Sequence, residues 1–252
     1  MPKLNDQTME NQPNVGHFGF SAVRVDDLGA SEYTLATIAL DVSGSVYGFI
    51  GDIEKALKEC VKALQYSPRA DNLMLRVIKF ESQCTEIHGF KLLENCQISD
   101  YDGCLQPGGA TVLCDASVDA IEAIKNYAGQ LDGKEIDVNG IVIVVTDGDD
   151  NGSSLGREAV GRAKLSCVTD EKLESMLSIL VGVNIQTNCM KNYLDDFKDK
   201  GNFDQFVGLD NADAKTIAKL GQFISKSISS QSQSLGTGGP SQTINFNGSL
   251  TI

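Results

Sequence analysis

The segment from Thr34 to Ser45, TLATIALDVSGS, constrains the fold more than any other part of the chain. Its residues up to Leu40 are almost continuously apolar, which is typical of a central parallel strand covered on both faces. Asp41 and Ser43 then precede Ser45 at alternate positions. Open α/β sheets place their ligands in loops at the carboxyl ends of such strands. Carboxylate and hydroxyl oxygens at this place indicate Mg²⁺, Mn²⁺ or Ca²⁺.

A second buried strand, from Gly140 to Val145 (GIVIVV), also runs into a polar turn, which begins with Thr146-Asp147-Gly148. A third buried strand spans 178–184, and segments with helical apolar spacing separate the strands. This alternation over residues 34–228 predicts a three-layer, doubly wound, Rossmann-like α/β sheet with helices on both faces.

Two shorter patterns refine this topology. The strand-like runs 72–80 and 85–93 are joined by only four residues. So short a connection permits only a hairpin, so one run must be antiparallel to the other strands. Residues 155–176 read as a helix that is interrupted near Thr169, where a second short helix is expected to begin.

The ends of the chain differ in composition from the middle. Residues 1–15 are polar and are expected to form a flexible N-terminal tail, and 17–25 read as a short, added edge strand. The domain is expected over residues 16–230. A Ser/Gln/Gly-rich C-terminal tail should follow over 231–252, because 229–242 is low in complexity. The last residues, TINFNGSLTI, predict a short β segment with a turn at Asn247-Gly248.

Charge and cysteine content narrow the class of function. Asp and Glu outnumber Lys and Arg by 34 to 21, and the net charge of −13 disfavours binding to nucleic acid or anionic membranes. No apolar run reaches the roughly 18–20 residues that span a bilayer, and the first residues lack the apolar core of a signal peptide. Seven cysteines without a CxxC pair predict free thiols in a reducing, cytoplasmic setting rather than a zinc site.

The two polar turns predict one composite site. If their strands are neighbours, Asp41 and Asp147 converge over one crevice, and the helix that opens at Thr111 crosses between them. Ser43, Ser45 and Thr111 would then offer neutral oxygens. Two carboxylates only balance a divalent cation, so the ion would stay electrophilic enough to accept an anionic ligand from outside.

These residues resemble a known arrangement. Asp41-Val42-Ser43-Gly44-Ser45, Thr111 after Gly108-Gly109, and Thr146-Asp147-Gly148 are similar to the three parts of the metal-ion-dependent adhesion site of von Willebrand factor A domains. All five ligand positions match. The resemblance implies a sheet with one antiparallel edge strand, a Mg²⁺ ion, and a protein partner that supplies Glu or Asp.

The whole chain most resembles stand-alone bacterial or phage members of that family, such as the tellurium-resistance group and those paired with MoxR-type AAA+ ATPases. The resemblance implies an intracellular assembly or stress-response complex with such an ATPase as the partner. We therefore expect a non-catalytic, metal-dependent protein-binding module.

Other interpretations remain open at this point. The Asp41 turn could simply cap a helix. Asp149, Asp150 and Asn151 could form a second cation site, although a solvated acidic loop is favoured. A self-assembling structural protein would also use a metal at its contacts. A Mg²⁺-dependent phosphatase of the haloacid-dehalogenase type would use Asp41 as its nucleophile, but it needs a second Asp where this chain has Ser43.

Overall fold

The fold is an eight-stranded sheet between two layers of helices, seen in a computed structural model that describes residues 9–12 and 19–246. The strands in this part of the chain are β1 (Met9–Gln12), β2 (Phe20–Val23), β3 (Glu32–Asp41), β4 (Leu73–Phe80), β5 (Cys84–Leu92), β6 (Asp137–Thr146), β7 (Ser175–Val183) and β8 (Gln205–Leu209). The α-helices are α1 (Ile50–Gln65), α2 (Leu113–Asp132), α3 (Arg157–Thr169), α4 (Asn188–Lys200) and α5 (Ala214–Thr237).

The strand order β1-β2-β5-β4-β3-β6-β7-β8 confirms the predicted mostly parallel α/β sheet. Strands β4, β3, β6, β7 and β8 are parallel, and β5 pairs with β4 in the predicted antiparallel hairpin. Strands β2 and β1 extend the sheet beyond β5. The run that was expected as an added edge strand is therefore inside the sheet, and β1 forms the edge.

Both faces of the central strands are buried, which explains their continuous apolar sequences. Alternate residues of β3, such as Leu35 and Ala39, pack into the core beneath α2, α3 and α4. Ile38 and Leu40 point to the opposite face, where they pack with residues of α1 and α5. In the described part of the chain, none of the helices combines the length and apolarity needed to cross a membrane.

The C-terminal boundary expected at residue 230 is wrong, because α5 continues to Thr237. Gln231 is fully buried, and its Nε2 atom donates to Gly140 O at 3.1 Å and to Ser175 Oγ at 3.0 Å. The backbone carbonyl of Gln231 accepts a hydrogen bond from Asn139 Nδ2 at 2.7 Å. Gln231 thus pairs with polar groups of β6 and β7, whereas the Ser- and Gln-rich composition alone indicates a solvated linker.

The segment after α5 also packs on the domain. Gln205 Nε2 donates to Ile244 O at 2.9 Å, and the rings of Phe223 and Phe246 meet edge-to-face with centroids 5.5 Å apart. The predicted turn at Asn247-Gly248 lies outside the described residues.

Two further boundaries differ from expectation. Part of the expected N-terminal tail is β1, which pairs with β2. Helix α3 ends at Thr169, and no second helix begins there: Glu171 has a positive φ of 51°, which breaks the helix, and the chain then enters β7.

All seven cysteines are free thiols. Cys189, in the first turn of α4, is exposed, whereas Cys84 and Cys104 are half-buried and the remaining four are buried.

Candidate metal centre

The two acidic turns lie side by side because β3 and β6 are adjacent parallel strands. Leu40 pairs with Val145, so Asp41 and Thr146 are neighbours at the carboxyl end of the sheet. Helix α2 leads into β6, and the loop before α2 carries Thr111 to the same end of the sheet. The topology therefore gathers three separate loops at one edge, as predicted for this fold.

Asp41 is only 2% exposed and is held by two hydrogen bonds. Its Oδ1 accepts from Ser43 N at 2.8 Å, and its Oδ2 accepts from Thr146 Oγ1 at 2.6 Å. Burial raises the pKa of this carboxyl above its ordinary value, and the bonds from Thr146 and Ser43 oppose that shift. A positive charge placed next to Asp41 would compensate for the cost of its burial.

A chain of hydrogen bonds connects the first turn to the second. Ser43 Oγ and Ser45 Oγ are 2.9 Å apart, and Ser45 Oγ donates to Asp147 Oδ1 at 2.7 Å. Asp147 is half-buried, and its pKa is raised to about 6, mainly by burial and also by the charge of Asp41, although the bond from Ser45 lowers it. Two carboxylates and two hydroxyls thus face one another across the crevice.

Thr111 reaches this edge on a loop that is fixed by backbone contacts. Gly108 N donates to Val42 O at 2.8 Å, which joins the loop to the first turn. Gly109 has φ +70°, a backbone conformation that favours glycine, and a Cβ atom there would displace the side chain of Glu81, whose Oε2 would lie 1.8 Å away. Thr111 itself is 3% exposed. Gly109 and the backbone bond of Gly108 therefore set the path of the loop.

Asp150 and Asn151 have structural roles that the sequence did not indicate. Asn151 Oδ1 accepts from Thr111 N at 2.8 Å, and Asp150 Oδ2 accepts from Cys114 N at 2.7 Å, at the beginning of α2. Ser153 also donates to Asp150 through its backbone N at 3.0 Å and its Oγ at 2.5 Å. These side chains cap α2 and hold the Thr111 loop, so neither is simply part of a solvated acidic loop. Asp149 is exposed.

In the sequence analysis, Thr146 belongs to the metal motif but has no assigned role at the site. It is 1% exposed, and its hydroxyl orients Asp41. The pairing of the two strand ends was the signal that could have identified it. Among the described residues, no three His, Cys, Asp or Glu side chains cluster as a metal-binding group. A cation bound here would therefore depend on hydroxyl oxygens in addition to its two carboxylates.

Comparisons with known proteins give structural similarity only. No protein-family model matches the chain, and no curated protein does. The fold is similar to the PilB minor pilin from Streptococcus sanguinis (TM-score 0.59, 15% identity), with 86% of this chain and 66% of that chain covered. It is also similar to the pilus adhesin SpaC from Lactobacillus rhamnosus GG (TM-score 0.60, 10% identity), with 91% of this chain and 36% of that chain covered.

A third similar structure is a von Willebrand factor type A protein from Catenulispora acidiphila. The TM-score is 0.56 and the identity 14%, with 84% of this chain and 44% of that chain covered. The chain thus spans less than two thirds of the length of each of these three proteins. Identities this low establish the fold and nothing finer. The protein has a fold like that of von Willebrand factor A domains.

Proposed function

We propose that this protein is a divalent-metal-dependent protein-binding module without catalytic activity of its own. Its metal site is a metal-ion-dependent adhesion site formed by Asp41, Ser43, Ser45, Thr111 and Asp147. The ion is Mg²⁺, or Mn²⁺ or Ca²⁺ in its place, and the partner contributes a Glu or Asp side chain.

The observation that carries this proposal is the continuous set of oxygens from Asp41 to Asp147. Ser45 Oγ is hydrogen-bonded to both Ser43 Oγ and Asp147 Oδ1, and Asp41 Oδ1 accepts from Ser43 N, so hydrogen bonds connect four of the five proposed ligand residues. Such hard oxygen donors suit Mg²⁺. Two carboxylates neutralise the ion without giving it excess negative charge, so a bound ion would retain affinity for an external carboxylate.

The absence of catalysis is a proposal based on the identity of residue 43. A phosphatase that uses Asp41 as its nucleophile needs an acid two residues later to protonate the leaving group. Ser43 cannot serve as that acid, and its hydroxyl is hydrogen-bonded with Ser45 at 2.9 Å. We expect no hydrolysis of p-nitrophenyl phosphate above background with Mg²⁺ present. Turnover that is lost in Asp41→Asn would contradict this expectation.

The partner class is supported less directly. Similar folds occur in a minor pilin and in a pilus adhesin, which is consistent with protein binding. The resemblance of the whole chain to the stand-alone group favours an intracellular assembly or stress-response complex, with a MoxR-type AAA+ ATPase as the candidate partner. A pull-down in Mg²⁺ and in chelator would identify it.

Calorimetry tests the metal site itself. Titration of Mg²⁺ should give saturable binding heat in the wild type and none in Asp41→Ala. Asp137→Ala is the matched control, because Asp137 is exposed at the opposite end of β6 and its loss should leave the heat unchanged. Equal heats from wild type and Asp41→Ala would overturn the proposal.

Light scattering with and without chelator would reveal whether the partner is a second copy of this chain.

A further inference from the structure

The outer surface of α1 and α5 contains an open groove of about 430 Å³, here called the α1–α5 groove. It is lined by Ala63 of α1 and by residues of α5 between Gln222 and Gln233. The α1 side contributes only a methyl group, and half of the lining residues of α5 are serines. Side chains this short leave the space between the two helices unfilled, so the groove is open to a ligand.

The α1–α5 groove lies away from the candidate metal centre. It belongs to the C-terminal half of α5, where Gln231 donates to Gly140 O and to Ser175 Oγ in the first halves of β6 and β7. Asp41 is the last residue of β3, which runs parallel to β6. The groove is therefore displaced toward the amino ends of the strands, and a ligand bound in it would not need the ion.

Lys226 gives the groove a positive charge in an acidic protein. Helix α5 carries three lysines and no Asp or Glu, whereas acidic residues outnumber basic ones by 34 to 21 in the whole chain. Lys226 is exposed, and within the described residues no carboxylate pairs with it. None of the residues that line the groove is acidic. The groove therefore presents an ammonium group to which a carboxylate of a partner can bind.

Neutral hydrogen-bonding side chains accompany this lysine. Gln222 and Gln233 are exposed at the two ends of the groove, and Ser229 and Ser230 are half-buried between them. Ser225 Oγ donates to Gln222 O at 3.0 Å and is thereby already used. A glutamine amide can donate to one backbone carbonyl and accept from one backbone N–H. The groove thus offers a charge for a side chain and polar groups for a peptide backbone.

The length of the groove favours a chain segment over a small anion. Eleven residues separate Gln222 from Gln233, which corresponds to about 16 Å of helix. An extended peptide of about five residues covers this length. A free phosphate or carboxylate ion would reach only the surroundings of Lys226, and a single ion pair at an exposed site contributes little free energy.

We propose that the α1–α5 groove is a second docking site, independent of metal, for an extended acidic segment of a partner protein. An Asp or Glu of that segment pairs with Lys226. Its backbone bonds to the amides of Gln222 and Gln233. The protein would then hold two partner segments at once, one at the carboxyl end of the sheet and one along its outer helices.

A peptide-display selection in EDTA tests the proposal. Random heptapeptides are selected on the immobilised full chain at about 0.15 M salt, where attraction between distant charges is screened. We expect Asp and Glu to be enriched on wild type. The net charge of −13 repels acidic peptides in general, so enrichment would indicate a local site.

Two variants alter the groove itself. Lys226→Glu reverses its charge and should weaken the best synthetic acidic peptide about three- to tenfold. Ser229→Leu fills the groove with a larger side chain and should abolish binding of that peptide. Leucine is a better helix former than serine, so α5 should remain intact, which circular dichroism would verify.

Two matched controls lie on the same helix outside the groove. Lys215→Glu reverses an exposed lysine in the first turn of α5, and Ala218→Leu adds the same leucine side chain at another exposed position. Both should keep the acidic enrichment and the affinity of wild type.

Acidic enrichment that is lost in the two groove variants and kept in the two controls supports the proposal. A selection without acidic enrichment, or enrichment that persists on Lys226→Glu and Ser229→Leu, overturns it. Self-association of the purified chain that Ser229→Leu abolishes would identify a second copy as the occupant and would overturn a separate partner. Every arm is performed in EDTA, so a failure here leaves the proposed metal module standing.

Discussion

Thr146 Oγ1 donates a hydrogen bond of 2.6 Å to Asp41 Oδ2 across two paired strands. This bond fixes the orientation of a carboxylate that is only 2% exposed. Groups that orient a metal ligand usually matter for affinity almost as much as the ligand does. Thr146 is therefore expected to increase the affinity of the candidate metal centre for an ion by orienting Asp41.

Thr146→Val should weaken Mg²⁺ binding by about 10- to 100-fold, because Asp41 loses the donor that orients it. Calorimetry would measure the change. Thr37→Val is the matched control: Thr37 is a fully buried residue of β3 whose hydroxyl has no hydrogen-bond partner among the described residues. That control should bind Mg²⁺ normally and be as stable as wild type or slightly more so. Unchanged affinity in Thr146→Val would contradict the positioning role.

Mg²⁺ binding should strengthen as pH rises from about 5 to about 7.5. The pKa of Asp147 is raised to about 6 by burial and by Asp41, so below that pH a proton competes with the ion. Calorimetric titrations across this range would measure the trend. A pH-independent affinity would indicate that Asp147 is not a ligand.

The raised pKa of Asp147 also predicts how the stability of the metal-free protein depends on pH. The carboxyl pKa rises from an ordinary 3.8 to about 6 on folding, so in that window the folded state binds more protons than the unfolded state. The free energy of unfolding must then fall as pH rises through the window. Asp147→Asn should show a smaller fall in denaturant titrations in EDTA. An identical pH slope in both proteins would refute this assignment.

Asp150→Ala should loosen the beginning of α2. It removes the acceptor for Cys114 N and for Ser153, and loss of a helix cap costs about 0.5–2 kcal/mol. Hydrogen exchange should accelerate over residues 111–116, and Mg²⁺ affinity should fall because Thr111 lies on the same loop. Asp149→Ala, which removes an exposed neighbour, should change neither the exchange nor the stability.

Gly221→Ala should destabilise the packing of α5 on α1. A Cβ atom there would lie 2.7 Å from Ala56 O, a backbone atom that cannot move easily. Overpacking of this kind costs about 1–3 kcal/mol, which exceeds the gain in helix propensity. In α1, Gly51→Ala meets nothing within 4 Å and should stabilise by about 0.5–1 kcal/mol. Thermal unfolding of the two variants should therefore shift in opposite directions.

Gln231→Ala should lower the free energy of unfolding by about 1–3 kcal/mol, because Gly140 O and Ser175 Oγ lose a buried donor. Gln233 is exposed two residues later, and Gln233→Ala should stay within about 0.5 kcal/mol of wild type. Denaturant titration of both variants would decide whether this half of α5 belongs to the domain. Equal stabilities would favour the flexible-tail interpretation.

Local periodicity was sufficient to predict the central sheet. The continuous apolar runs before Asp41 and Asp147 indicate strands buried on both faces, and the structure pairs them directly. Because these two strands are adjacent, the polar turns that follow them lie at the same edge of the sheet, as the sequence predicts. The hairpin of β4 and β5 followed from its short connection alone.

Contacts between distant residues were the part that could not be predicted. The polar run Asp149-Asp150-Asn151 looks uniform in sequence, but Asp150 and Asn151 bond to the loop and the helix beginning some forty residues earlier. The second half of α5 looks like a linker in sequence, because the partners of Gln231 are present only once β6 and β7 are in place. The composition of a polar segment does not indicate which distant groups its side chains will bond to.

The uneven exposure of the thiols gives the protein a built-in attachment point. Burial raises the pKa of several of them, including Cys84, Cys104 and Cys114, so they react slowly with maleimides in the native state. The exposed Cys189 lies in the first turn of α4, shortly after the carboxyl end of β7. The carboxyl ends of the parallel strands lie at one edge of the sheet, which also carries Asp41. A fluorophore coupled there would sit near any docked partner, so natural protein, without engineered cysteines, could report association optically.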